Sequence, residues 1–151
     1  MSAKIIFENL ATAAVGNTGK EAVLGGVFAF IATFATAYLG GWDQPLKVLI
    51  ALMIADYATG VLGAMKQKNL NSDVMFWGGV RKGIVILVIG LASMVDQWMG
   101  NGAVFRTIAI YFYAGREGLS VVENFGILGV PFPSKLTQFL TQLQEKGEGK
   151  Q

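Results

Sequence analysis

The sequence predicts an all-α membrane protein with about four transmembrane or membrane-embedded helices and a short amphipathic helix near the C-terminus. Three observations support this fold class. The 151 residues are 53% hydrophobic, with a mean hydropathy of +0.50. Only 15% of them are charged, against about 25% in ordinary soluble domains. The apolar residues also gather into runs long enough to cross a bilayer, which disfavours both a disordered chain and a soluble domain.

The first predicted span covers residues 22–42 and is bounded by Glu21 and Asp43. Its 21 residues carry no charge. Because a helix rises 1.5 Å per residue, this run extends about 30 Å, which is the thickness of the hydrocarbon core. Residues 1–21, which precede the run, are predicted to be a cytoplasmic N-terminal segment.

Three further spans contain charges. The second, residues 46–65, carries Asp56 near its middle, about 14 Å from the flanking lysines. The third, residues 83–100, carries Asp96, which we expect near the far surface. The fourth, residues 103–125, is the least apolar, and an alternative in which it lies in the membrane interface stays open. On a helical wheel its polar residues fall within one arc of about 120°: Arg106, Tyr113, Arg116, Glu117, Ser120, Glu123 and Asn124.

The distribution of Lys and Arg predicts the orientation of the spans. Residues 66–82, which join the second and third spans, hold four basic residues and are therefore expected in the cytoplasm. With four spans, the N-terminus and the C-terminus then both lie in the cytoplasm. Residues 131–151 are predicted to form a cytoplasmic amphipathic helix and a polar tail. The apolar residues of that helix recur at i, i+3, i+4 and i+7.

Asp56 is the most informative single residue, because a carboxylate at that depth costs about 2.5–3.5 kcal/mol on insertion scales. It should face the interior of the helix bundle or water. One interpretation is a polar site or a voltage- or proton-sensitive switch, and the other is a buried contact that fixes the fold. Pairing with Arg116 is one hypothesis. The candidate pore or pairing residues are Asp56, Thr59, Arg116, Glu117, Ser120, Glu123 and Asn124.

Small residues recur along the first two spans at intervals that place them on one helix face. Such rows allow helix backbones to approach closely in a bilayer. Packing within one monomer and self-association between copies are both open interpretations. The residues concerned are Gly25, Ala29, Thr33, Ala37 and Gly41 in the first row, and Ala51, Ala55, Gly60 and Gly63 in the second.

The composition removes several classes of function. There is no Cys and no His, so the chain has no thiol nucleophile, no imidazole base and no Cys- or His-ligated metal. The net charge of +2 is too small to indicate nucleic-acid binding. We find no catalytic constellation, and therefore expect no enzymatic activity and no cofactor.

An ordered set of short motifs resembles the phage lysis and toxin-secretion holin family, which includes the clostridial toxin-secretion holin. The first motif is the run from Ala55 to Gly60, followed by a Lys-rich turn with residues 69–72. Residues 113–124 and 129–136 complete the set. In that family the second span carries an Asp-x-x-Thr-Gly motif, matched here by Asp56 to Gly60. A second family pattern is matched by Glu117, Ser120, Glu123 and Asn124.

The resemblance implies a non-enzymatic protein that oligomerises in the bacterial cytoplasmic membrane and forms lesions at a set time. An endolysin, or a toxin or particle cargo, then escapes. The implied partners are the lipid bilayer, further copies of the chain, an endolysin and, in some systems, an antiholin. Two alternatives from other classes are a small ion channel or transporter with a polar site at Asp56, and a non-conducting membrane scaffold.

Overall fold

The computed structural model describes residues 19–100 and 102–149, and these residues are almost entirely helical, with no strand among them. The predicted all-α class is confirmed. Residues 1–18 of the predicted N-terminal segment and the last two residues of the predicted tail lie outside the described part. The helices are α1 (Gly19–Tyr38), α2 (Gln44–Lys66), α3 (Ser72–Met99), α4 (Val104–Leu128) and α5 (Ser134–Gly147).

Three helices are long and apolar enough to cross a membrane: α1 over Glu21–Tyr38, α2 and α3. The charged helix α4 is not among them, so the predicted number of four holds only approximately. The chain divides into two compact units, Met1–Tyr38 and Leu39–Gln151. The first contains α1, and the second contains the other four helices and everything described below.

Local signals fix the ends of α2 and α3. The Asp43 carboxylate caps α2 by accepting a hydrogen bond from the Leu46 amide at 3.1 Å. The Asn71 side chain caps α3 by accepting one from the Asp73 amide at 2.8 Å. Helix α3 therefore begins well before the predicted third span, and Lys82 lies inside the helix rather than at its boundary.

Helices α2 and α4 run parallel and side by side over their full lengths. At one end, Arg106 near the start of α4 binds Asp43, just before α2. At the other end, the Lys66 Nζ donates to the Ile127 carbonyl at 2.9 Å. Helix α3 runs antiparallel to both, since it passes Asp56 with Lys82 and reaches the start of α4 near its own C-terminus. The core between the helices contains the fully buried side chains of Leu46, Leu49, Ile89 and Ile110.

Helix α5 turns back along the second half of α4. The rings of Phe125 and Phe132 lie 5.7 Å apart beside the turn, and Gly147 at the other end of α5 reaches Phe112. Between these points the backbones are in contact, because a Cβ atom on Gly115 would lie 2.7 Å from the Leu140 carbonyl oxygen. The two helices therefore form an antiparallel hairpin with almost no side chain between them at this position.

Replacing Gly115 with valine should separate α5 from α4. The atoms that a Cβ would meet first are backbone atoms of α5, which cannot move aside as a side chain can. Overpacking of this kind costs about 1–3 kcal/mol. The expected result is faster trypsin cleavage at Lys135 and Lys146 in detergent. Gly126→Val is the matched control, because a Cβ at Gly126 would meet nothing within 4 Å. Equal cleavage rates for the two variants would contradict the close contact.

Candidate functional site

Three charged side chains from three helices meet between α2, α3 and α4. The Lys82 ammonium donates to Asp56 Oδ2 at 2.7 Å and also to Glu117 Oε2. All three side chains are largely buried, with 17%, 18% and 11% of their surfaces exposed for Lys82, Asp56 and Glu117. We call Asp56, Lys82 and Glu117 the ion cluster. Two carboxylates share one ammonium, so the cluster has one negative charge in excess when all three groups are ionised.

Amide and hydroxyl groups complete the hydrogen bonding of Asp56. The Asn124 Nδ2 donates to Asp56 Oδ1 at 3.1 Å and lies 3.1 Å from Thr59 Oγ1. The Thr59 hydroxyl donates to the Ala55 carbonyl at 2.7 Å. Both oxygens of the Asp56 carboxylate therefore have donors, as a carboxylate deep in a helix bundle requires.

The sequence suggested that Asp56 pairs with Arg116, and the structure corrects this pairing. Lys82 is the cation at Asp56, whereas the Arg116 side chain is exposed on α4. The sequence alone does not point to Lys82, because the basic pair Arg81–Lys82 beside an apolar run is typical of the membrane boundary of a span. The interpretation of Asp56 as a residue that needs a buried partner is nevertheless consistent with these contacts.

The remaining candidate residues of α4 divide into two groups. Arg116 and Ser120 line a cavity of about 400 Å³, and Asp56 and Glu117 line it too. Glu123 is exposed and lies outside the lining of that cavity. The structure thus brings together all the candidate polar residues except Glu123.

Some of the small residues of α2 pack against α4 within the monomer. A Cβ on Gly60 would lie 3.6 Å from Asn124 Nδ2, and one on Gly63 would lie 3.4 Å from Ile127 Cγ2. These two glycines therefore lie at the contact between α2 and α4. Ala51 is exposed and Ala55 half-buried. The role of the row formed by Gly25, Ala29, Thr33, Ala37 and Gly41 in self-association stays a prediction.

A second polar contact lies at the start of α2. Arg106, which is 4% exposed, binds both carboxylate oxygens of Asp43, at 2.6 and 3.0 Å. It also donates to the carbonyls of Leu39 and Gly41. The buried Asp96 carboxylate accepts hydrogen bonds from the first amides of α4, those of Phe105 and Arg106, so it caps that helix.

Arg106 changes the acidity of Asp43. The hydrogen bond from the guanidinium lowers the pKa of the Asp43 carboxyl below its ordinary value of 3.8, and partial burial opposes this effect. A lowered pKa in the folded state means that ionised Asp43 stabilises the fold above that ordinary value. This contribution is lost as the pH falls through the folded-state pKa.

The variant Asp43→Asn tests this linkage, because asparagine also caps a helix but carries no charge. At pH 7 we expect the variant to melt at a lower temperature than the parent in detergent. The difference should shrink as the pH falls below about 4 and disappear once Asp43 is protonated in both states. A difference that stays constant down to pH 2.5 would show that the charge of Asp43 does not contribute.

The described residues contain no group of three acidic side chains that is able to hold a metal ion. The ion cluster itself supplies an excess negative charge, hydrogen-bond donors and acceptors, and an adjoining polar cavity. These groups can hold water or respond to an electric field.

Known proteins share much of this sequence. A sequence model of the bacteriophage holin family matches residues 33–145. An uncharacterised protein of Clostridium perfringens is 42% identical over 118 residues, 78% of this chain and 87% of that protein. A protein of Bacillus phage phi105 named a probable holin is 35% identical over 116 residues, 77% of this chain and 86% of that protein. No solved structure matches. The matched segment includes every residue of the ion cluster.

Proposed function

The chain belongs to the bacteriophage holin family, and on that premise we propose that it assembles in the bacterial cytoplasmic membrane into lesions that time host lysis. Family membership points to a membrane protein without enzymatic activity. The proposed lesions release an endolysin, or a toxin or particle cargo. The observation that supports this role most directly is the ion cluster, which brings charge near the middle of α2, a helix apolar enough to cross a membrane.

The packing of the helices supports the proposed topology. Because α4 runs parallel to α2 and is level with it at both ends, the two helices share the same depth in a bilayer. The polar residues of α4 that face α2 and α3 are shielded from lipid by those helices. We therefore keep four membrane-embedded helices, with spans near 22–42, 46–65, 83–100 and 103–125, and with the N-terminus in the cytoplasm. Because α5 runs back along the second half of α4, we further propose that α5 lies beside α4 in the bilayer, in place of the cytoplasmic helix and C-terminus that the sequence predicts.

The membrane potential would act on the excess negative charge of the ion cluster. Moving one elementary charge across the membrane changes the free energy by about 2.3 kcal/mol per 100 mV. If the helices rearrange during assembly, the cluster crosses only part of the membrane thickness, so its free energy changes by a fraction of this value. Even a fraction of this energy changes the populations of two states several-fold, since 1.4 kcal/mol is a factor of ten.

Neutralising Asp56 should delay lysis. In Asp56→Asn the remaining Lys82 and Glu117 charges balance, so the unassembled monomer loses its excess buried charge and becomes more stable. At equal membrane levels, measured by immunoblot, we expect later onset of lysis in culture turbidity. Asp73→Asn, which changes an exposed carboxylate in the first turn of α3, is the control and should keep the parental timing. Parental timing in Asp56→Asn would reject this role.

Induced expression in a bacterial host, with and without a cytoplasmic endolysin, tests the proposed function itself. The observables are growth and membrane potential. Abrupt depolarisation, with lysis only when the endolysin is present, is the expected result. Normal growth with an intact potential at high membrane levels would overturn the proposal and favour a non-conducting scaffold.

A second candidate, a small ion channel, is favoured by one observation. The cavity beside Asp56 extends to Asn69 and Asn71 at the loop between α2 and α3, so polar groups lead from the end of the helix pair toward its middle. A gradual, ion-selective leak without endolysin escape, in the same expression experiment, would favour this candidate.

A further inference from the structure

Two arginines beside the ion cluster form no ion pair with the residues that the structure describes. Arg81 on α3 and Arg116 on α4 line the cavity that Asp56 and Glu117 also line. Both arginine side chains are exposed. Within residues 19–100 and 102–149, neither of them forms a hydrogen bond or an ion pair, in contrast to Lys82.

The charges that line the cavity do not cancel. The ion cluster contributes one negative charge in excess, and the two arginines contribute two positive charges, so the cavity as a whole carries one positive charge. Arg81 also lies within α3, a helix apolar enough to span a membrane. A guanidinium in such a helix is costly unless a partner or water neutralises it. The missing partner of the cavity is therefore a single negative charge.

We propose that this cavity binds the phosphodiester headgroup of an anionic phospholipid. A phosphodiester carries one negative charge, which matches the excess, and guanidinium groups bind phosphate oxygens in a paired geometry. The volume of about 400 Å³ lies within the range of ligand pockets. Basic pockets between membrane helices on the cytoplasmic side are known to take lipid headgroups.

The lining of the cavity fits the two parts of such a lipid. Asn69 and Asn71 near the loop offer hydrogen bonds to headgroup hydroxyls, whereas Val74 and Ile84 on α3 offer apolar surface for the start of an acyl chain. The exposed aromatic side chains of Phe76 and Trp77 lie on the same helix. The lipid would therefore enter from the bilayer along α3, with its phosphate toward Arg81 and Arg116.

Native mass spectrometry of the purified full-length chain in an uncharged detergent tests this proposal without any reference to lysis. The probe is phosphatidylglycerol, titrated against phosphatidylethanolamine of the same chain length. We expect one phosphatidylglycerol to be retained with at least tenfold preference. Arg81→Gln and Arg116→Gln should each weaken this binding about tenfold, because each removes a charge-assisted contact. Lys146→Gln, an exposed change on α5 away from the cavity, is the charge-matched control and should bind normally.

Several results would overturn the proposal. Equal retention of the two lipids would show that the site does not select an anion. Unchanged binding in both arginine variants, or equal weakening in Lys146→Gln, would show attraction to overall charge rather than to this cavity. Displacement of the lipid by millimolar inorganic phosphate would identify a free-phosphate site instead of a lipid site. Failure of the chain to form lesions, by contrast, would leave these binding results unaffected.

Discussion

Replacing Lys82 with methionine is expected to destabilise the chain by about 3 kcal/mol, because it leaves two carboxylates facing each other without a cation. Removing one partner of a buried ion pair typically costs about 3–5 kcal/mol, and Lys82 binds both Asp56 and Glu117. In a chain of this size, such a loss lowers the melting temperature by about 10 °C. Thermal unfolding in detergent, followed by circular dichroism, measures this change.

Two further variants distinguish loss of charge balance from loss of packing as the cause of the lower stability. The triple variant Lys82→Met, Asp56→Asn and Glu117→Gln removes all three charges, and replacing a whole buried cluster by neutral groups is often close to neutral. It should therefore recover most of the lost stability. Lys47→Met changes an exposed lysine near the start of α2 and should melt like the parent. A triple variant as unstable as Lys82→Met would show that packing, rather than charge balance, explains the effect.

Replacing Arg106 with methionine should have a comparably large effect, since this side chain connects α4 to the segment that precedes α2. Its guanidinium holds the Asp43 carboxylate and the carbonyls of Leu39 and Gly41. Loss of these charge-assisted hydrogen bonds, one of them to the buried Leu39 carbonyl, is expected to cost about 3–5 kcal/mol in total. The expected observation is a fall in melting temperature of at least 10 °C.

Arg106→Lys separates charge from geometry at this position. A lysine keeps the positive charge but cannot bind both carboxylate oxygens and two carbonyls at once, so it should recover only part of the stability. Arg116→Met is the matched control for the same helix, because Arg116 is exposed. It should melt like the parent in lipid-free, uncharged detergent. Full recovery in Arg106→Lys would mean that the planar geometry of the guanidinium is unimportant.

The sequence predicted the apolar helices well and one helix start poorly. The uncharged run before Asp43 and the run around Asp56 correspond closely to α1 and α2, because length and hydropathy determine such helices directly. The start of α3 was placed too late, since Arg81 and Lys82 were interpreted as a boundary. The sequence does contain the capping signal for the true start, since Asn71 and Asp73 are residues typical of a helix N-terminus.

The sequence predicts that Asp56 requires a buried partner, but it does not predict which residue is that partner. That Asp56 requires a buried donor follows from its depth in an apolar run. Which cation supplies it depends on how α3 and α4 are shifted along α2, and no periodicity within a single helix encodes that shift. The contact of α5 with α4 escaped prediction for a similar reason. It depends on Gly115 and Gly118, whose lack of a side chain matters only beside a second backbone.

The position of α5 bears on whether the proposed lesion would stay filled with water. Narrow apolar pores expel water and stop conducting, a process known as dewetting. Helix α5 lies along the second half of α4 and exposes Gln138, Gln142 and Glu145 there, at a depth that α4 shares with the apolar helix α2. In the proposed topology, each copy would thus supply a hydrophilic strip at the level of the lipid tails. A lesion bordered by such strips would hold water from its first moment, without any helix having to rotate.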